Sequence, residues 1–334
     1  MALWLAVSFA IAFAATNGFN DAANAVATLV ATRGARPAQA VALSATFNLL
    51  GALLVGTAVA ETVAGIVFVA PRQAVAVVGS GVLGATIWNV LTWSRGLPSS
   101  SGHALTGGLV GAALAEHGLH AVHWGGLDGW HPVGVFGVLI ALAVSPVVGL
   151  AIAFGMIRLT QRVLRRATRR VRVAIRPGEW VMTAALSFSH GANDAQKSMG
   201  VVAALLFAGG RTATLTVPLW VKLACGASLT LGTALGGWRI VVTVGRRIFR
   251  LAPSDAFASQ SASTAAILTA SYLGAPVSTT HVVASSVIGV GGGRRRWRHV
   301  RWPVVRAMTS AWLLTLPACM ALGAVTVVVW DALG

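Results

Sequence analysis

Eight stretches of this sequence stay apolar long enough to cross a bilayer as helices. They are Leu3–Ala31, Ala38–Ala60, Ala74–Trp93, Pro132–Ile157, Trp180–Ala208, Leu215–Gly236, Ala256–Leu273 and Pro303–Trp330. A crossing needs about 20 apolar residues. Composition agrees: 56% of the chain is hydrophobic and 10% charged, more apolar surface than a soluble domain can hide behind so few charges. Two more stretches, Leu97–Ala115 and Ala275–Val290, are apolar at one end but open with proline, serine, threonine and histidine, as a broken or re-entrant helix does. The expectation is an all-α polytopic membrane protein of about ten crossings. The first run continues past the length of a signal-peptide core and lacks a charged leader, so it reads as the first span.

The formal charge of +17 sits in connections, which points to loops on the cytoplasmic side and not to nucleic acid. Arg158, Arg162, Arg165, Arg166, Arg169, Arg170, Arg172 and Arg176 lie in one connection, and Arg294, Arg295, Arg296, Arg298 and Arg301 crowd another. Placing the first inside and walking outward puts Arg33, Arg95, the cluster over 246–250 and the second group inside as well, with Arg72, Arg211 and both termini outside. This predicts a multi-pass protein of the cell membrane, surrounded by lipid. Cys225 and Cys319 fall within apolar runs, have no metal-ligand spacing, and read as small core residues.

Internal repetition organises the chain. Gly18-Phe19-Asn20-Asp21-Ala22-Ala23-Asn24 recurs as Gly191-Ala192-Asn193-Asp194-Ala195-Gln196-Lys197. Pro98-Ser99-Ser100-Ser101-Gly102-His103, with Gly111 further on, recurs as Pro276-Val277-Ser278-Thr279-Thr280-His281, with Gly289. Two motifs in one order at nearly one offset imply a duplication. Five crossings per half would invert the second copy, an arrangement characteristic of secondary transporters. The expected units are residues 1–157, a basic linker over 158–177, and residues 178–334.

Of the eight acids, Glu116, Asp128, Glu179, Asp255 and Asp331 fall at span ends or in loops, where solvation accounts for them, and Glu61 is intermediate. Asp21 and Asp194 lie deep in apolar runs, where an ionised carboxylate costs at least a few kcal/mol, and their matching positions favour function. Each stands beside an asparagine, Asn20 or Asn193. The pair offers hard oxygen ligands for Na⁺, or a carboxyl for a proton. The second constellation is an anion site. Ser99, Ser100, Ser101, Gly102 and Ser278, Thr279, Thr280 would present hydroxyls and free N–H groups at positive helix ends, where a tetrahedral oxyanion binds. His103 and His281, in register, would orient hydroxyls, relay protons or pack against helix ends.

These residues resemble the inorganic phosphate transporter (PiT) family, whose halves each carry a Gly-x-Asn-Asp motif. Gly18 to Ala25 and Ser189 to Gly200 are similar to its paired signatures, and Leu97 to His103 and Ala275 to His281 to its hairpin motifs. The resemblance implies phosphate symport with Na⁺ or H⁺, alternating access between inverted repeats, no further cofactor, and a homodimer. It implies that the Ser and Thr residues contact phosphate, that Asn20, Asp21, Asn193 and Asp194 contact the coupling cation or the anion's surroundings, with Asp21 and Asp194 as Na⁺ ligands, and that Asn24, Glu61 and Gln260 also belong to the coupling-cation set. Glu61-Thr62-Val63 resembles an acidic cation-site motif of the family. Two positions depart from the pattern: Gln260 stands where some Na⁺-coupled relatives carry Glu, and Asn24 is matched by Lys197. A fixed ammonium at Lys197 would neutralise phosphate and replace one cation. That favours proton coupling, or carriage of a neutral metal–phosphate complex, over coupling to two Na⁺.

Sulfate is the nearest rival substrate, being tetrahedral too. Phosphate can donate a proton to a carboxylate whereas sulfate only accepts, which favours phosphate. An intramembrane hydrolase built on His103, His190, His281, Asp21 and Asp194 around a metal lacks a His-Glu-x-x-His or Gly-x-Ser-x-Gly signature. Duplicated halves with broken helices suit a carrier better than a passive channel.

Overall fold

The computed structural model describes residues 1–67, 69–128, 131–166, 168, 173–236, 241 and 248–333. Arg169, Arg170, Arg172, Arg246 and Arg247, assigned above to the inner face, lie outside them. The described residues form eleven α-helices. The first half holds α1 (Ala2–Ala31), α2 (Pro37–Leu54), α3 (Ala58–Ala64), α4 (Pro71–Ser94), α5 (Ser101–His117) and α6 (Gly134–Arg165). The second holds α7 (Ile175–Ala208), α8 (Leu219–Leu235), α9 (Pro253–Tyr272), α10 (Thr279–Gly293) and α11 (Trp302–Leu333).

Five of these, α1, α2, α4 over Gln73–Ser94, α6 and α11, are long and apolar enough to cross a membrane. This is fewer than the eight runs of the sequence, because α8 has only 17 residues and α7 and α9 carry polar residues along their length. The run over 38–60 is not one helix: α2 stops at Leu54, Val55 is extended, and α3 starts afresh at Ala58. Helix α6 continues through Arg158, Arg162 and Arg165, so the connection to α7 is shorter than the basic segment of the sequence. Among the described residues one short hairpin is not helical. Strands β1 (Gly126–Asp128) and β2 (His131–Val133) pair antiparallel, Leu127 opposite Pro132, just before α6.

Helix starts follow local chemistry. Pro37, Pro71 and Pro253 occupy first turns, where a missing N–H costs nothing. Ser100 and Ser278 cap α5 and α10, each Oγ accepting the backbone N–H of His103 or His281 at 3.3 Å. Both half-helices thus start the same way in the interior.

The most extensive packing joins the two halves: α5 lies on α11, α6 on α10, α2 on α7 and α1 on α8. Each pairing has a counterpart with the halves exchanged. The glycines of the repeated motifs make this possible. A Cβ on Gly111 of α5 would sit 2.0 Å from Met320 O of α11, and one on Gly289 of α10 would sit 2.3 Å from Leu150 O of α6. Close backbone approach of this kind, through small residues, is how membrane helices gain packing energy where apolar burial gives little. Gly111→Ala or Gly289→Ala should therefore destabilise the protein by about 1–3 kcal/mol or more through overpacking. Gly155→Ala, in α6 with nothing within 4 Å of its Cβ, should be neutral or stabilising by up to about 1 kcal/mol. Thermal unfolding in detergent checks both.

Candidate ion and anion site

Helix α1 carries Asp21 and Asn24, and α7 carries Asp194 and Lys197, three residues apart in both cases and so on one helical face. Asn24 Nδ2 donates to Asp21 Oδ1 at 2.8 Å, and Lys197 Nζ donates to Asp194 Oδ1. The half-helix α10 bridges the two acids. Thr280 Oγ1 donates to Asp21 Oδ1, and Thr279 Oγ1 donates to Asp194 Oδ2 at 2.8 Å. From α5, Ser101 Oγ donates to Asp21 Oδ2 at 3.3 Å. Asn24 Nδ2 also reaches Thr280 Oγ1 at 3.0 Å. All of these side chains are buried.

Lys197 neither snorkels nor points to solvent. Its Nζ bonds Asp194 and donates to Val277 O at 2.7 Å, at the start of the second half-helix. A Cβ built on Gly102 would lie 3.7 Å from the same Nζ, so the ammonium stands between the two helix starts. Asp194 also meets His190 Nε2 at 2.9 Å, whose Nδ1 lies 3.2 Å from Asn48 Oδ1 of α2. Among the described residues no basic side chain forms a salt bridge with Asp21. The two acids occupy matching places but differ in charge balance.

The structure brings together Asp21, Asn24, Ser101, Gly102, Asp194, Lys197, Thr279 and Thr280. Ser100 and Ser278 are occupied as caps, and Ser99 shares a hydrogen bond with Thr92 of α4 at 2.9 Å. Asn20 and Asn193 turn away from the acids beside them. Asn20 Nδ2 donates to Asn89 O of α4 at 2.9 Å, and Asn193 Nδ2 donates to Ser271 Oγ and Ala275 O at 3.1 and 3.2 Å. Gln260 is buried between Thr28 and Thr183, at 2.7 and 2.6 Å, further along α1 and α7. Glu61 is exposed on α3 and accepts from Thr57 Oγ1 at 2.9 Å. It lines a cavity of about 530 Å³ with Thr62, His123, Gly274, Ala275 and Pro276, beside the start of the second hairpin. The rings of His103 and His281 lie 5.1 Å apart, and His281 packs on Trp312 at 3.9 Å, so both brace the helix starts.

Sequence reasoning gave His190 a part only in the hydrolase alternative. Its signal is its place four residues before Asp194, one turn away on the same face. Ligand atoms of Asp21, His190 and Asp194 all lie within 4.8 Å of one another, a spacing that one cation can bridge. Oxygens predominate there, which suits a hard cation. Glu179 and Asp255, assigned above to solvated span ends, are buried instead. Asp255 pairs with Arg294, and its Oδ2 accepts the Ala252 N–H at 2.9 Å.

Paired acids and paired hydroxyl-rich helix starts, enclosed in apolar helices, are an arrangement that suits a membrane carrier of small ions. The model of the phosphate transporter family matches residues 17–177 and again 161–323. A probable low-affinity inorganic phosphate transporter of Rhizobium meliloti is 39% identical over 95% of this chain and 93% of its own. One of Bacillus subtilis is 36% identical over 96% and 95%. A solved structure titled the sodium-dependent phosphate transporter superposes with a TM-score of 0.85, at 25% identity, over 99% of both chains. The chain belongs to the phosphate transporter family.

Proposed function

We propose that this chain imports inorganic phosphate across the cytoplasmic membrane by symport with H⁺ or Na⁺. In this reading two inverted repeats, 1–157 and 178–334, alternate access across ten crossings. Segment 158–177 joins them on the inner face, and both termini lie outside. Family membership supports phosphate as the substrate, and the solved neighbour's title supports Na⁺ as one possible coupling ion. The observation that carries the mechanism is the sharing of donors. Ser101, Thr279 and Thr280, the hydroxyls aimed across the site, donate to Asp21 and Asp194. An oxyanion would need those same donors.

A cation on Asp21 satisfies the carboxylate and releases Ser101 and Thr280 toward the anion, so each ligand favours the other. That is positive coupling in the thermodynamic sense. Lys197 already balances Asp194, leaving Asp21 as the acid that takes the mobile cation. One cation per phosphate at these acids follows, with the fixed ammonium supplying the second positive charge. Glu61 gathers cations in the cavity before the second hairpin. Protonated phosphate oxygens can donate to Asp21, which sulfate cannot do. A metal–phosphate complex is a variant of the same cycle, its metal taking the place of the cation between Asp21, His190 and Asp194.

The test is uptake of labelled phosphate and sulfate into liposomes containing the purified protein, with Na⁺, proton and divalent-metal gradients imposed one at a time. Phosphate should accumulate and sulfate should compete poorly. Preferential sulfate uptake would transfer the site to the rival substrate. Ser101→Ala and Thr279→Ala should each weaken phosphate binding by about 1–3 kcal/mol through loss of a hydrogen bond to a charged oxygen. Equilibrium binding to the purified variants measures this, and parental affinity in both would move the anion elsewhere.

A further inference from the structure

A polar stripe leaves the site between α1 and α7. On α1, Asp21 and Asn24 are followed by Thr28 and then by Thr32 at the helix cap, and on α7, Asp194 and His190 are preceded by Ser187, Thr183 and Glu179. These spacings of three and four keep each set on one helical face. Gln260 of α9 ties Thr28 to Thr183, and Thr32 Oγ1 donates to Glu179 Oε2 at 3.0 Å. From Asp194 to Glu179 is 15 residues, about 22 Å along a helix. That is ample to run from the bilayer centre to its margin.

Glu179 sits one residue before the apolar run that begins at Trp180, outside the membrane-spanning segment. It is nevertheless fully buried. The end of α1 closes over it: a Cβ on Gly34 would lie 2.8 Å from Glu179 Oε2, and Trp180 Nε1 donates to Gly34 O at 3.1 Å. Among the described residues the groups facing Glu179 are few. Thr32 approaches from α1, Arg176 stands one turn earlier on α7 and acts on it without a salt bridge, and Gln260 lies one turn further in. Among the described residues Oε1 of Glu179 is buried without a partner, as is Oε1 of Gln260. A glutamine would serve Thr32 equally well and would need no charge balance. A buried carboxyl without a paired cation is satisfied when it carries a proton.

We propose that Glu179 is the proton-exchange carboxyl at the inner end of this stripe. It holds a proton on an oxygen while the end of α1 covers it, and on opening the O–H bond breaks, the proton passes to water and a solvated carboxylate remains. Recapture of a proton from water allows closure. The proposal rests on the proton-coupled reading and on the inner placement of the segment between α6 and α7. Burial pushes the Glu179 carboxyl up to about 7, against the opposing pull of the Thr32 hydroxyl and Arg176. The closed end is therefore favoured below about pH 7 and loosened as pH rises through it.

Two measurements on the full chain test this. Infrared difference spectra of the reconstituted protein, stepped across about pH 6 to about 8, should show a protonated-carboxyl band that disappears on the alkaline side and is missing in Glu179→Gln. Phosphate exchange in liposomes should change by roughly tenfold over the same range of inner-face pH. The response should be flat in Glu179→Gln and restored in Glu179→Asp, with phosphate affinity within about twofold of the parent in both. A titrating band that persists in Glu179→Gln, or an unchanged pH response in that variant, would overturn the proposal. Parental uptake indifferent to a proton gradient, with the Glu179 band present and lost in the variant, would sink proton coupling while leaving Glu179 as the proton-holding group.

Discussion

Phosphate accumulation by Asp21→Asn should collapse to passive equilibration, while exchange of labelled for unlabelled phosphate across the membrane continues. Asparagine keeps one oxygen, enough to accept from Thr280, places an N–H₂ donor where the second oxygen accepts from Ser101, and removes the charge that attracts a proton or Na⁺. The hydroxyls are then held less firmly, as they would be with the cation bound, so the anion still binds and crosses. What disappears is the dependence of one ligand on the other, because a coupling free energy needs two ligands with different preferences. Uptake into liposomes at fixed voltage, with counterflow measured in parallel, separates the two activities. Undiminished accumulation would remove Asp21 from the coupling step. Loss of both activities would mean that Asp21 holds the anion's surroundings together instead.

The second large effect belongs to Lys197. In Lys197→Ala, Asp194 would keep Thr279 and His190 but lose its ammonium while remaining fully buried. Breaking a buried ion pair by removing one partner costs about 3–5 kcal/mol, and thermal unfolding in detergent should show a loss of that order. Lys197→Asn is the more informative change. Asn24 already bonds Asp21 across the same three-residue spacing, so an asparagine at 197 reproduces that geometry beside Asp194 and should fold. It also leaves two acids without a fixed cation. Phosphate uptake should then weaken at low cation concentration and depend on that concentration with a steeper slope, near two where the parent is near one. An unchanged slope would show that the ammonium does not stand in for a cation.

Much of this candidate site is legible in the sequence because recurring motifs mark it. A carboxylate in an apolar run is costly enough to stand out alone, and its recurrence at the same offset as a Pro-Ser/Thr-His motif identifies which hydroxyls belong with it. The roles of neighbouring residues are less legible. Asn20 and Asn193 adjoin the acids in sequence, but a helix turns about 100° per residue, so two consecutive side chains cannot both face one site. The asparagines go to α4 and α9, whereas residues three positions on, Asn24 and Lys197, come back to the acids.

Burial at helix ends is not legible at all. Glu179 and Asp255 stand where hydropathy permits solvent, and what covers them is tertiary: the end of α1 for one, Arg294 for the other. The break after Leu54 is equally silent, because the residues from Val55 to Ala60 remain mostly apolar while the backbone leaves the helix. Gly111 and Gly289 are the opposite case. The sequence shows them as echoes of one another, and only the packing of α5 on α11 and of α10 on α6 reveals what each glycine touches.

That crossed packing makes the two halves dependent on each other during synthesis. When the ribosome has delivered the first half to the membrane, α5 has α4 to lie on but not α11, which is still unmade, and α6 waits likewise for α10. The nascent half must therefore hold a hydroxyl-rich helix start in the bilayer with α1 and α4 beside it but no helix of the second half, until the last helix arrives. A chain severed between Arg165 and Ile175 should accordingly regain transport when both pieces are produced in one cell, and neither piece should be stable when made alone.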